Sequence, residues 1–188
     1  MSYAKTTSKL ESLIEDVPQV NYTICEATIN HCDQIFNLVQ EYYTEYGIPK
    51  NRQLNISTFR RDGFETSSPC FRCFIALTKT RGGIDEIIGF VLWYRSFGST
   101  TGPRVYLEAL FVTKLYRQKQ VEQALFEETL QEGEKLNYSN VNWIDKRSYL
   151  SEEFYTNIGG ENLTKTQTFL LYKLDEKAIS AIALPLTK

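Results

Sequence analysis

The strongest constraint on the fold is a run of three strand-like segments, residues 71–79, 86–97 and 105–112, separated by short, turn-rich links. The first link holds Arg81-Gly82-Gly83 and the second is Gly98-Ser99-Thr100-Thr101-Gly102-Pro103. Links this short cannot carry the chain back to begin a parallel neighbour, so the three runs must pair as an antiparallel meander. Helical spacing surrounds them. Ile35, Val39, Tyr42 and Tyr46 recur at four, three and four residues, one face of a helix that Asn30 and Asp33 open as a capping pair and Gly47 and Pro49 close. A second short helix is expected over 57–64, closed by Asp62-Gly63. A third, over 121–136, rests on Val121, Ala124 and Leu125 and carries an acidic centre at Glu127, Glu128 and Glu132. Residues 22–26 and 141–144 read as short strands. Ser151 caps a brief helix over 152–158 stopped by Gly159-Gly160, and 166–174 reads as a last strand. The order β-α-α-β-β-β-α-β-α-β places the chain in the mixed α/β (α+β) class, with a mostly antiparallel sheet flanked by helices.

The 188 residues suit one domain, expected over 21–176, with a polar N-terminal extension over 1–20 and a tail over 177–188. The balance of 21 basic against 23 acidic side chains leaves no basic footprint, which argues against nucleic acid as a partner. No apolar run reaches membrane-spanning length and the first residues lack a secretory pattern, so a cytoplasmic, intracellular location is expected. On that expectation the glycosylation-like triplets at Asn21, Asn55, Asn137 and Asn162 carry no sugar. Cys25, Cys32, Cys70 and Cys73 are then reduced. Cys70-Phe71-Arg72-Cys73 has the spacing of a metal or redox motif, but a zinc site needs four ligands and His31 is the one histidine. The motif also opens a strand-like run rather than a helix, so buried strand cysteines and no metal are the expectation.

Three segments carry a resemblance. Asp62-Gly63-Phe64 precedes the second strand. Gly89-Phe90 is followed by Tyr106-Leu107-Glu108-Ala109-Leu110-Phe111-Val112, and Phe154-Tyr155 precedes Gly159. In this order the chain resembles the Gcn5-related N-acetyltransferases (GNAT) over residues 22–175, and within them the diamine (spermidine/spermine) and thialysine branch, whose corresponding strand reads YLEDFFV. The resemblance implies acetyl-CoA as cofactor, a small amine or polyamine as acceptor, and a homodimer. It places the general base at Glu108 and the general acid at Tyr155, whose phenol keeps its proton at neutral pH. It assigns cofactor contacts to Phe111, Val112, the loop Arg117-Gln118-Lys119-Gln120-Val121-Glu122 and Ser148, and polyamine contacts to Glu45 and Tyr46.

Departures from the pattern cluster at the cofactor. The family's loop, R-x-x-G-x-G/A, starts a helix whose free amides hold a pyrophosphate, with glycines admitting the oxygens to the backbone. Here the two small positions are Gln120 and Glu122. A carboxylate there repels a phosphate by about 1 kcal/mol at 4 Å in water, more if desolvated, which Lys114 and Lys119 offset in part. Ala109 stands where the branch keeps a second acid, and Ser148 where it keeps an asparagine. Two readings follow: a divergent amine acetyltransferase, or a pseudoenzyme retaining the fold as a protein-binding or regulatory module. Tyr42, Tyr43 and Trp93 would suit a partner surface, although core packing is the expectation for them. A thiol-redox or metal role for Cys70 and Cys73 is the third alternative.

Overall fold

The three central runs pair as their turns demand in a computed structural model of the chain, which describes residues 20–145, 149–167, 173–175 and 178–180. The chain divides into two compact units, residues 1–146 and residues 147–188. In the first, β1 (Tyr22–Glu26), β2 (Arg72–Lys79), β3 (Asp85–Gly98), β4 (Gly102–Val112) and β5 (Val141–Trp143) form one sheet in sequential order. Each of the first four strands is antiparallel to its neighbour among them, and β5 runs parallel to β4. Between β3 and β4, Leu92 pairs with Ala109 and Trp93 with Leu107, so Glu108 is the extra residue of a β-bulge.

Helix α1 (Cys32–Glu45) follows a 3₁₀ turn, Ile29–His31. Asn30 lies inside that turn and does not cap the helix. The entry is fixed instead by the Thr28 amide, which donates to His31 Nδ1 at 3.0 Å. Asp33 accepts from Arg60 Nη2 at 2.6 Å. The buried face is Ile35, Leu38, Val39 and Tyr43, one step round from the expected stripe, which leaves Tyr42 at its border and Tyr46 at the C-cap. Helix α2 (Ile56–Phe64) is capped by Asn55, whose side chain accepts from the Thr58 amide at 2.8 Å. It runs through Asp62-Gly63 rather than stopping there. A Cβ on Gly63 would stand 2.3 Å from the Phe71 ring, so this glycine makes room for an aromatic cluster of Phe59, Phe64 and Phe71 with centroids 5.0 to 6.0 Å apart. Asp62-Gly63-Phe64 is a packing element. Cys73 is buried in β2, whereas Cys70 precedes the strand and is exposed, which corrects the expectation that both are buried.

Helix α3 (Val121–Lys135) buries Val121, Glu122, Leu125, Phe126, Thr129 and Gly133, a helical stripe laid on the sheet. Its acidic centre is partly spent on structure. Arg72 bonds Glu26 of β1 at 2.7 Å and Glu132 of α3 at 2.5 Å while lying 4.8 Å over the Trp93 ring. A Cβ on Gly89 would meet Val112 Cγ2 at 2.8 Å, the Phe111 carbonyl oxygen at 2.9 Å and Leu125 Cδ1 at 3.2 Å, so the bare backbone admits α3. Phe90, the next residue, packs on Phe111 at 6.0 Å, and Phe111 on Tyr42 of α1 at 6.0 Å. Consecutive strand residues point to opposite faces, so α1 and α3 cover opposite sides of the sheet. Trp93 and Tyr43 belong to the core, at 2% and 9% exposure.

In the second unit, Ser151 Oγ accepts from the Phe154 amide at 3.2 Å to start α4 (Glu152–Asn157). Gly159 and Gly160 end it through bonds from their amides to Thr156 and Tyr155 carbonyls at 3.0 and 2.8 Å. Thr166, expected to open a strand, instead closes a short helix, α5 (Leu163–Thr166), tied to α4 by Lys165–Glu152 at 2.6 Å. Residues 173–174 belong to no strand, and the middle of that expected segment, 168–172, lies outside the described residues, as does Ser148. No described helix is long and apolar enough to cross a membrane.

Gly89→Ala is expected to cost about 1–3 kcal/mol by overpacking against backbone. Gly133→Ala, whose Cβ would meet Val105 Cγ2 at 3.3 Å, should cost less, because alanine regains up to about 1 kcal/mol of helix propensity. Urea unfolding of both variants checks this order, and equal losses would refute the close-approach account.

Candidate active site

Strand β4 has two partners but keeps one of them only briefly. It pairs with β5 through Val105, Tyr106 and Leu107, while its pairing with β3 continues to Val112. Glu108 is the residue at which the β5 ladder ends and the β3 ladder bulges. Its neighbours Leu107 and Ala109 are 6% and 8% exposed, yet Glu108 itself is open to solvent. Without the bulge, Leu107 and Ala109 would share a face and Leu110 would share that of Glu108. With it, hydrophobic residues are buried on both sides of an outward carboxylate.

That carboxylate faces phenols. The Tyr42 hydroxyl is pushed up to about 12, by burial first, then by Tyr46 and by the charge of Glu108, with smaller contributions from Tyr43 and Asp145. Tyr94 and Tyr106 are raised by burial and then by Glu108. These two are cross-strand partners whose rings stack at 5.0 Å. Sequence reasoning passed over Tyr94, Tyr106 and Asp145. The Gly98–Gly102 turn sets that pairing directly, on the turn side of the bulge, whereas the bulge itself is not revealed by side-chain pattern.

Beside Glu108 stands an aromatic wall. Tyr42 packs on Tyr46 at 4.5 Å and edge-on to Phe111 at 6.0 Å. Arg117 joins this wall to the loop ahead of α3. Its Nε donates to the Val112 carbonyl at 2.9 Å, its Nη2 to Glu45 Oε2 at 2.6 Å, and its guanidinium lies 5.4 Å over Phe111. The ion pair is mostly sheltered, with side chains 14% and 23% exposed. Glu45, Tyr46, Phe111, Val112 and Arg117, expected to serve two different ligands, are thus brought together. The Glu45 carboxylate is engaged by Arg117 in this arrangement.

After a 3₁₀ turn, Lys114–Tyr116, the loop takes the backbone course that glycine favours without containing glycine. Gln118 and Gln120 have φ of 60° and 64°, and among the described non-glycine residues only Asn137 shares that region. A left-handed conformation costs an L-residue roughly 1–2 kcal/mol. Gln120 is the N-cap of α3, and its side chain makes no bond to the first turn. The Gln120 carbonyl accepts from Tyr22 Oη of β1 at 3.1 Å. Lys119 lies 5.6 Å over the Tyr116 ring, whose hydroxyl donates to Glu86 at 3.1 Å. Glu122 is 4% exposed and shares the sheet-facing stripe with Val121, Leu125 and Phe126, so it does not cover the solvent side of the loop. Alternating left-handed residues at the start of a fifteen-residue helix fit a pyrophosphate, with the bulk of Gln120 and the charge of Glu122 as the opposing side chains.

Tyr155, in the second unit, is half-buried on α4 with its ring edge-on to Phe154 at 5.3 Å.

A model of the Acetyltransferase (GNAT) family matches residues 32–159, well over half of the chain. The chain belongs to the GNAT family. It is 24% identical over 168 residues to the thialysine N-epsilon-acetyltransferase of Mus musculus, covering 85% of this chain and 96% of that protein. It is 30% identical over 100 residues to the human spermidine/spermine N(1)-acetyltransferase-like protein 1, covering 51% of this chain but 14% of that one. Solved GNAT structures share the fold. An aminoglycoside N-acetyltransferase in complex with CoA superposes with a TM-score of 0.63 at 18% identity, over 84% of this chain and 98% of that one. The ribosomal-protein-alanine N-acetyltransferase of Brucella melitensis gives 0.62 at 15% identity, over 82% and 99%. Acetyl-CoA is the donor that GNAT acetyltransferases use.

The tyrosine cluster yields a pH prediction. An unfolded tyrosine ionises near 10, whereas Tyr42 holds its proton to about 12, so stability present below pH 10 is lost as the pH rises toward 12. In a phenolate absorbance titration, Tyr42→Phe should remove a phenol that ionises at about pH 12. Glu108→Gln should bring that phenol to lower pH by removing a repelling charge. An unchanged titration in Glu108→Gln would place the carboxylate elsewhere.

Proposed function

We propose that this GNAT chain transfers an acetyl group from acetyl-CoA to a small primary amine of the thialysine or polyamine class. The observation that carries the reading is Glu108, set outward by the bulge where β5 leaves β4 and facing phenols and an aromatic wall. An amine arrives as a cation. Aromatic faces at Tyr42, Tyr46 and Phe111 attract it, as do the carboxylates of Glu108 and Asp145. It reacts only after losing a proton, and Glu108 is the base that accepts it, directly or through water. Acetyl-CoA, when bound, supplies an acetyl thioester. Transfer of that acetyl group to the amine leaves a thiolate on sulfur, and the family resemblance gives Tyr155 as the residue that would return its proton. Backbone amides at the start of α3, with Lys114 and Lys119 nearby, are the groups offered to the pyrophosphate. The relatives' thialysine and spermidine/spermine names support the acceptor class, and the wall of phenols supports a cation over a neutral acceptor.

A second reading, a pseudoenzyme kept for a protein partner, is favoured by one observation. Glu122 places a buried carboxylate in the first turn of the helix that would face the pyrophosphate.

The two separate in a thiol-release assay with acetyl-CoA and a panel of thialysine, spermidine and an aminoglycoside. Turnover with at least one amine is expected. Glu108→Gln should lower kcat/KM roughly 10²–10⁴-fold, the range of a lost general base, and Tyr155→Phe should slow the reaction similarly. Silence with every amine, with acetyl-CoA bound, would sink the enzyme reading and favour the pseudoenzyme.

A further inference from the structure

Gln118 and Gln120 hold left-handed backbone without the freedom that glycine has, so something outside the loop must hold them there. Two tethers reach it from distant segments. On one side Arg117 is held by the Val112 carbonyl at 2.9 Å, by Glu45 at 2.6 Å and over the face of Phe111 at 5.4 Å. On the other, Tyr22 of β1 donates its hydroxyl to the Gln120 carbonyl at 3.1 Å. That hydroxyl lies beside the start of α3, since its ionisation is opposed by burial and then by Glu122 and Glu127. The tethers bracket the strained stretch: one precedes Gln118, the other acts on Gln120 itself.

We infer that Glu45, through Arg117, and Tyr22 are positioning residues that keep the loop 117–120 in the left-handed, anion-accepting shape for which the family's loop pattern has glycine. The inference rests on acetyl-CoA being the ligand of this loop only for its binding consequence; the tethering itself is independent of any ligand. It also assigns Glu45 a role toward the loop, where the resemblance gave it a role toward the amine. The specific consequence is epistasis. With glycine at 120 the left-handed turn needs no enforcement, so the tethers should matter less.

The test uses the full chain with Tyr22→Phe and Glu45→Gln, each made in the native and in the Gln120→Gly background. Hydrogen exchange of the amides of residues 118–122 is followed without ligand, and coenzyme A binding by thermal shift and calorimetry. In the native background each variant should speed exchange and weaken coenzyme A by roughly 2- to 12-fold, the fold-change matching the net worth of one hydrogen bond. In the Gln120→Gly background both effects should shrink below about twofold. Equal effects in the two backgrounds, or unchanged exchange in the native one, would overturn the tether. If coenzyme A binds no variant while exchange follows the predicted pattern, the tether stands and the acetyltransferase reading falls. Glu45→Asp, which keeps the charge, should restore part of the protection in the native background; failure to do so would count against the ion pair as the tether.

Discussion

Everything in the candidate site depends on how β4 divides its hydrogen bonds. Along its whole length β4 pairs with β3, but β5 accompanies it only from Val105 to Leu107. At the next residue the β3 ladder carries one residue too many, and Glu108 turns outward between buried neighbours. A strand with a full partner on each side would have no place for an exposed carboxylate among Leu107, Ala109 and Leu110. The bulge resolves that conflict, and the same local twist directs β4 onward to Phe111, Val112 and the loop before α3. Glu108, the Phe111 face of the aromatic wall and the loop before α3 follow one another from one strand.

The loop shows that a sequence motif and a backbone conformation are separable. Glycine makes the left-handed turns of a phosphate-binding loop easy without being the only residue that adopts them. Here glutamines occupy them, and the strain is opposed by contacts from α1 and β1. Glu122 has a comparable double character. Read as a letter in the loop it is a charge facing a phosphate; in the fold it lies on the stripe that α3 turns to the sheet. The substitutions that suggest lost function therefore leave the left-handed backbone course of the loop in place.

Much of the architecture was legible because it rests on local chemistry. Tight glycine-containing turns forced the meander, and hydrophobic spacing located α1 and α3. Glu108 and Arg117 were marked by their resemblance to a family pattern. What escaped depended on register or on contacts remote in sequence. The bulge leaves no trace in composition, so the outward setting of Glu108 and its nearness to Tyr94 and Tyr106 stayed hidden. The Arg117–Glu45 pair joins residues 72 positions apart, and no local rule couples them. Asn30 resembled a helix cap because its spacing to Asp33 was right, yet Thr28 and His31 had already begun a 3₁₀ turn one step earlier. Asp62-Gly63 looked like a stop because glycine often ends helices, whereas this glycine is needed by the Phe71 ring.

The central claim is that a glycine-free loop still accepts the cofactor. Calorimetric titration of the unmodified chain with acetyl-CoA tests it most directly. The account predicts saturable binding at one site per chain with a dissociation constant below about 1 mM, equivalent to at least about 4 kcal/mol of binding free energy. Absence of heat at millimolar acetyl-CoA, together with an unchanged melting temperature, would contradict it.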